Sequence, residues 1–242
     1  MTFGRYAAVI ELLDRAIASR RQPTEVEAKA ILRTIGFESP SSVACDTIDA
    51  VAAGIERLRA PFVVKIVSSD IPHKTEVGGV IFPLHDVGSA VAACRDALAR
   101  VRALRSEAQV DGFLVEEYRP AFPEWLLCAS ANTAVGPVVT FGLGGVHTEL
   151  LSAVESRLAP LRPRDIDGLI DESPLRKVLC GYRGRPAIDR QLVRDAIARL
   201  SDFICAPDVA CRVDEIELNP IAIGADGVFA LDALLLLKGD ER

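Results

Sequence analysis

Three strand-like segments follow one another with no helix between them, and that order removes most of the folds open to a chain of this size. Residues 112–115, 124–129 and 137–141 are short and mostly apolar and read as strands, whereas a doubly wound parallel sheet needs a crossover helix after every strand. The remaining elements are equally mixed. Tyr6, Ile10, Leu13 and Ile17 recur at helical spacing, and Thr24-x-x-Glu27 reads as a capping box that opens a helix stopped by Gly36. A third helix follows Asp46-Thr47, and a fourth covers 89–104 with Ala92, Ala93, Ala97, Leu98 and Val101 on its buried face. Residues 61–67 and 80–84 read as two strands around a polar loop. Further strands are predicted at 215–218 and 228–231, with helices at 163–170 and 189–203. Strands and helices in this order predict an α+β architecture of two lobes joined near Val110–Gly112. Residues 1–111 are the first lobe and 112–242 the second.

Composition excludes several functions. With 28 Lys+Arg against 34 Asp+Glu and a formal net charge of −6, the chain has no basic field to capture a phosphate backbone, so no nucleic acid is expected. No apolar run approaches the roughly 18–20 residues that span a bilayer, and the opening residues lack the pattern of a signal peptide, so no membrane is expected and a cytoplasmic location is. The six cysteines include no C-x-x-C pair and read as small buried hydrophobes.

Two segments can carry chemistry. Lys65 lies inside the otherwise apolar run Phe62–Val67, and a lysine is almost never buried without a partner, so it reads as a point charge aimed at an anion or as an edge lysine reaching solvent. The loop after it, from Ser68 to Gly79, contains His73, Lys74 and paired glycines that would let backbone N–H groups approach phosphate oxygens. In the second segment, strand alternation puts Glu215, Glu217 and Asn219 on one face while Ile216 and Leu218 face the core. Oxygen ligands on one face suit a hard cation such as Mg²⁺, and Asp232 completes the set. Phe141-Gly142-Leu143-Gly144-Gly145 fails as a dinucleotide fingerprint because His147 stands where the third glycine belongs.

Together, Val64-Lys65, the loop Asp70 to Val80, Gly142 to Gly145, Arg157 to Leu161, Gly181 to Gly184 and Glu215 to Pro220 resemble the ATP-grasp (β) subunit of ADP-forming acyl-CoA synthetases. The similarity runs from about Thr24 to Asp232 and extends more distantly to the β subunit of succinyl-CoA synthetase. It implies an ATP-grasp fold of two α/β lobes with the nucleotide between them. It also implies ATP/ADP with Mg²⁺ as cofactor, and a CoA-binding α subunit as partner in an assembly of two α and two β chains. By position, Lys65 matches the lysine on the nucleotide phosphates, with Lys74 beside it. Glu116, Tyr118 and Arg119 match the hinge whose backbone reads adenine, and Glu124 matches the acid near the ribose. Glu217, Asn219 and Asp232 match the metal ligands. His73 matches the histidine phosphorylated in transit to the partner, a role that imidazole chemistry permits.

Three positions depart from the family pattern: Ser69 replaces a frequent Pro, Glu217 replaces the usual Asp, and residues 131–135 replace a segment containing Arg-Asp-Pro. Two other readings of such a chain are a degenerate ATP-grasp module kept for regulation or assembly, and a stand-alone carboxylate–amine ligase. Retention of Lys65, His73, Glu217, Asn219 and Asp232 argues against the first. His73 argues against the second, whose direct transfer to a carboxylate needs no relay residue.

Overall fold

A computed structural model describes residues 5–145 and 153–239. The chain divides into two compact units. One comprises residues 1–23, 27–39 and 120–242, and the other residues 24–26 and 40–119. This division differs from the boundary expected at 111/112, and the reason lies in strand pairing.

In the unit built around residues 40–119, the described residues form a four-stranded antiparallel sheet. Its strands are β1 (Ser42–Cys45), β2 (Phe62–Val67), β3 (Val80–Leu84) and β4 (Gly112–Glu117), in the order β1-β4-β2-β3. β4 pairs with β1 along one edge and with β2 along the other, so a cut before Gly112 would remove an inner strand from its sheet. Val64, Ile66, Phe113 and Val115 point to one face and meet a helical layer. That layer is α3 (Ile48–Ile55) and α4 (Val87–Leu104). α3 opens on Thr47, whose hydroxyl accepts the Ala50 N–H at 3.3 Å. α4 opens on Asp86, whose carboxylate accepts the Ser89 N–H at 2.8 Å. Both satisfy donors that a helix start leaves open. The buried face of α4 is built from small side chains, Ala90, Ala93, Cys94, Ala97 and Val101, which let its backbone approach the sheet closely.

The other unit contains α1 (Ala7–Ala18) and most of α2 (Glu25–Thr34). Among its described residues is a sheet in the order β10-β8-β5-β6-β7, with β9 pairing to β8. The strands are β5 (Trp125–Ser130), β6 (Val138–Leu143), β7 (Val154–Leu158), β8 (Val213–Gly224), β9 (Gly227–Ala230) and β10 (Leu234–Leu237). Trp125, Leu127, Val139, Phe141, Ile216 and Leu218 face a core shared with α1, α2 and the helices Pro163–Glu172 and Arg190–Cys205. Trp125 and Phe141 stack at 5.4 Å in its centre. Because strand side chains alternate, the opposite face receives Cys128, Ser130, Thr140, Glu215, Glu217 and Asn219. Among the described residues every pairing between these named strands is antiparallel. Helices set apart from antiparallel sheets make this an α+β chain, as the element order predicts.

Candidate functional site

Lys65 is neither at an edge nor in solvent. β2 lies between β4 and β3, and the alternation that sends Val64 and Ile66 into the core sends Lys65 to the other face, where only 4% of it is exposed. Glu116, one diagonal step away on β4, shares that face and is equally buried. The Lys65 ammonium reaches Glu116 Oε2 at 2.9 Å and Glu25 Oε1 at 2.6 Å. Glu25, the first residue of α2, holds Lys74 with its second oxygen, Oε2 to Nζ at 3.2 Å. Two carboxylates and two ammoniums thus form a charge-balanced buried quartet. Sequence reasoning missed Glu25, although a lysine in an apolar strand calls for a counter-charge somewhere in the chain.

The His73 loop is fixed at several points. Ser68 Oγ donates to Gln109 O at 2.6 Å, and Asp70 Oδ2 accepts the Gln109 N–H at 2.8 Å. Ile71 and Val77 are buried in the core beneath, and Lys74 to Val77 form one 3-10 turn. Gly78 closes that turn at φ +65°, and Gly79 donates to Lys74 O at 2.8 Å. A side chain at Gly79 would meet Ile66 at 2.8 Å, so the close approach of loop and strand requires glycine there. His73 immediately precedes the turn and is exposed, while its neighbour Lys74 is buried. Lys74, expected beside the nucleotide, instead directs its amine to Glu25. Glu116, expected as part of a hinge reading adenine, directs its side chain to Lys65. Tyr118 stacks on Phe82 at 5.6 Å and its N–H donates to Pro61 O at 2.7 Å, while Arg119 follows it half-buried.

A second constellation lies in the other unit, on the non-core face of its sheet. Asn219 Oδ1 accepts the Gly145 N–H at 2.7 Å, and its Nδ2 donates to Glu217 Oε1 at 3.0 Å. The Glu124 carboxylate occupies the space that a side chain at Gly145 would need. Asp232 follows β9 and is held beside Asn219 by its N–H, which donates to Pro220 O at 3.3 Å; its Oδ1 accepts the Ala233 N–H at 2.8 Å. Glu217 and Asn219 are thus directly joined, Glu124 lies against Gly145, and Asp232 is tied by its backbone to the residue after Asn219. Gly144 serves strand packing, because a side chain there would strike the Trp125 backbone at 2.4 Å. His147 lies outside the described residues.

The ATP-grasp domain family matches residues 15–237. The chain belongs to the ATP-grasp family. It is 31% identical to the β subunit of acetate–CoA ligase [ADP-forming] I from Pyrococcus furiosus, over 96% of this chain and 99% of that one. It also matches acetate–CoA ligase [ADP-forming] I of Archaeoglobus fulgidus at 27% identity, over 96% of this chain but only 33% of that longer one. Among solved structures it resembles a dinucleotide-forming acetyl-coenzyme A synthetase 1 of Candidatus Korarchaeum cryptofilum in complex with coenzyme A and Ca-AMPCP. There the TM-score is 0.85 and the identity 30%, over 94% of this chain and 99% of that one. The same synthetase with a phosphorylated phosphohistidine segment gives 0.80 and 29%, over the same shares.

ATP-grasp enzymes use ATP with a divalent metal. The donor set offered by Glu217, Asn219 and Asp232 is all oxygen, which fits a hard cation. One soft atom lies close by: Cys128 Sγ and a carboxylate oxygen from each of Glu215 and Glu217 lie within 4.8 Å of one another. Burial, reinforced by those two carboxylates, pushes the Cys128 thiol up to about 12, and burial does the same to Cys94. Both stay protonated at neutral and mildly alkaline pH, because a raised thiol pKa keeps the neutral form up to that value. Iodoacetamide at pH 8 therefore labels the exposed Cys180 and Cys211 first and leaves Cys94 and Cys128 intact, as peptide mass spectrometry would read out. Rapid alkylation of Cys128 would show that the sheet face is more open than described.

Proposed function

We propose that this chain is the nucleotide-binding β subunit of an ADP-forming acyl-CoA synthetase, which converts a carboxylic acid, CoA and ATP reversibly into acyl-CoA, ADP and phosphate. The observation that carries this reading is the exposed His73 on a loop pinned at both ends, next to the buried Lys65–Glu25–Lys74 contacts. A histidine so placed can act as nucleophile. An imidazole nitrogen attacks the γ-phosphorus, the bond from that phosphorus to the bridging oxygen breaks, and ADP departs with that oxygen. The phosphohistidine then passes its phosphoryl group onward and the imidazole is regenerated.

The other residues bind and orient. Lys65 stands at the position of the family's phosphate-binding lysine, its ammonium here balanced by Glu25 and Glu116, so contact with phosphate oxygens requires it to be drawn from those carboxylates; Glu124 lies where a ribose hydroxyl could be met. The backbone around Glu116, Tyr118 and Arg119 receives the base. Mg²⁺, held by Glu217, Asn219 and Asp232, would neutralise charge on the phosphates when bound. A CoA-binding α subunit supplies the acid and CoA sites, in an assembly of two chains of each kind working in the cytoplasm. Among the described residues no helix is long and apolar enough to cross a membrane.

Calorimetry on the purified chain and acid-dependent ADP formation with and without the α subunit test the proposal. The chain alone binds Mg·ATP, and acid turnover appears only with the partner. Absence of nucleotide binding at millimolar Mg·ATP would sink the reading.

A further inference from the structure

Lys29 lies in the middle of α2 and takes no part in the proposed transfer, yet only 2% of it is exposed. Lysine is almost never buried to that degree unless a partner fixes it. Its ammonium donates to Leu231 O at 2.8 Å, within the same unit but 202 positions along the chain. That carbonyl and the Asp232 N–H are the two ends of one peptide group, and the N–H end donates to Pro220 O at 3.3 Å. The Leu231 N–H donates to the same oxygen at 3.0 Å. The peptide group leading into Asp232 is therefore held at its oxygen by Lys29 and at its nitrogen by the residue that follows Asn219. We propose that Lys29 is a positioning residue for the candidate metal site, orienting the 231–232 peptide plane and with it the Asp232 carboxylate relative to Asn219. This rests on the function proposed above and adds to it a residue, outside the ligand set, that decides how firmly the cation is held.

Two effects of the ammonium on a cation site have opposite signs. As a charge alone, Lys29 repels a divalent cation, so its removal would tighten metal binding. As a hydrogen-bond donor it does the reverse. A charged donor makes a stronger bond than a neutral one. By polarising the carbonyl it also makes the N–H at the other end of the same peptide a better donor to Pro220 O. Without the ammonium that peptide group loses one of the bonds that orient it, and the carboxylate of the next residue is aimed less narrowly. Ligand constellations work only when held to about half an ångström, so the loss is felt in metal affinity ahead of the fold.

The test uses the full chain. Lys29→Met, Asp232→Ala and the double variant are compared with the parent by thermal melting, by amide hydrogen exchange without metal, and by calorimetry with ATP at graded Mg²⁺. Expected for Lys29→Met is faster exchange at residues 231–233 with the rest of the sheet unchanged, and an Mg²⁺ requirement for ATP binding raised about tenfold or more, as for other residues that orient metal ligands. The double variant should need no more Mg²⁺ than Asp232→Ala, since both changes act through one carboxylate. An unchanged or lower Mg²⁺ requirement in Lys29→Met would overturn the proposal, and so would faster exchange spread evenly over the sheet. If Lys29→Met does not fold, the parent decides: a metal-free Asp232 amide that exchanges as fast as an unstructured peptide shows that the plane is not held. A parent that binds no ATP at any Mg²⁺ concentration would instead overturn the proposed function, and the role of Lys29 with it.

Discussion

On the proposed function, replacing His73 by alanine should abolish passage of the γ-phosphoryl group while leaving the nucleotide bound. His73 is exposed and borders a turn fixed by Lys74, Gly78 and Gly79, so truncation creates no cavity and removes no core contact. Surface changes of this kind usually move stability by no more than about 0.5 kcal/mol. Loss of a nucleophile has no such mild outcome, because the covalent route closes and only slow background reaction remains, a drop of about 10³-fold or more. With γ-labelled ATP and the assembled subunits, the parent chain should carry an acid-labile, alkali-stable label that His73→Ala lacks. Calorimetry should show unchanged Mg·ATP affinity. Full synthetase activity in this variant would take the histidine out of the mechanism.

Asp232→Ala and Asn219→Ala should lower turnover by about 10² to 10³, equivalent to roughly 2.7–4 kcal/mol of lost transition-state stabilisation. The two changes are not equally clean. Asn219 bridges the Gly145 N–H and Glu217, so its removal breaks two hydrogen bonds and also costs stability, about 0.5–1.5 kcal/mol for each. The Asp232 carboxylate accepts the N–H of its neighbour Ala233. Its replacement should show chiefly as a higher Mg²⁺ requirement for nucleotide binding. Titration of Mg²⁺ at fixed ATP separates the two, and parental behaviour in Asp232→Ala would remove that residue from the metal site.

Long, strongly patterned elements were legible in the sequence, and so was the polar face they create. The alternation of Glu215, Glu217 and Asn219 against Ile216 and Leu218 holds along β8, and the apolar run around Lys65 forms a strand as its composition suggests, although its inner place in the sheet was not legible. β1 was not legible, because Ser42–Cys45 is four residues long and finds its place only through pairing with β4. That pairing also places β4 with the preceding strands, against the expected boundary at 111/112. Glu25 was hidden for a related reason. Local pattern assigns it to the first turn of a helix, and nothing nearby in sequence reveals the lysines 40 and 49 positions later that its carboxylate meets.

Four charged side chains buried together are a poor way to stabilise a protein. Replacing such ion pairs by well-packed aliphatic residues is often neutral or favourable by about 1–4 kcal/mol, whereas removing a single partner is costly. Under the proposed function, Glu25, Lys65, Lys74 and Glu116 therefore mark the place where selection for heat resistance and selection for turnover pull in opposite directions. A laboratory lineage evolved only for thermal survival would then reach its gains fastest by turning this cluster greasy, at the expense of the phosphoryl transfer proposed for it.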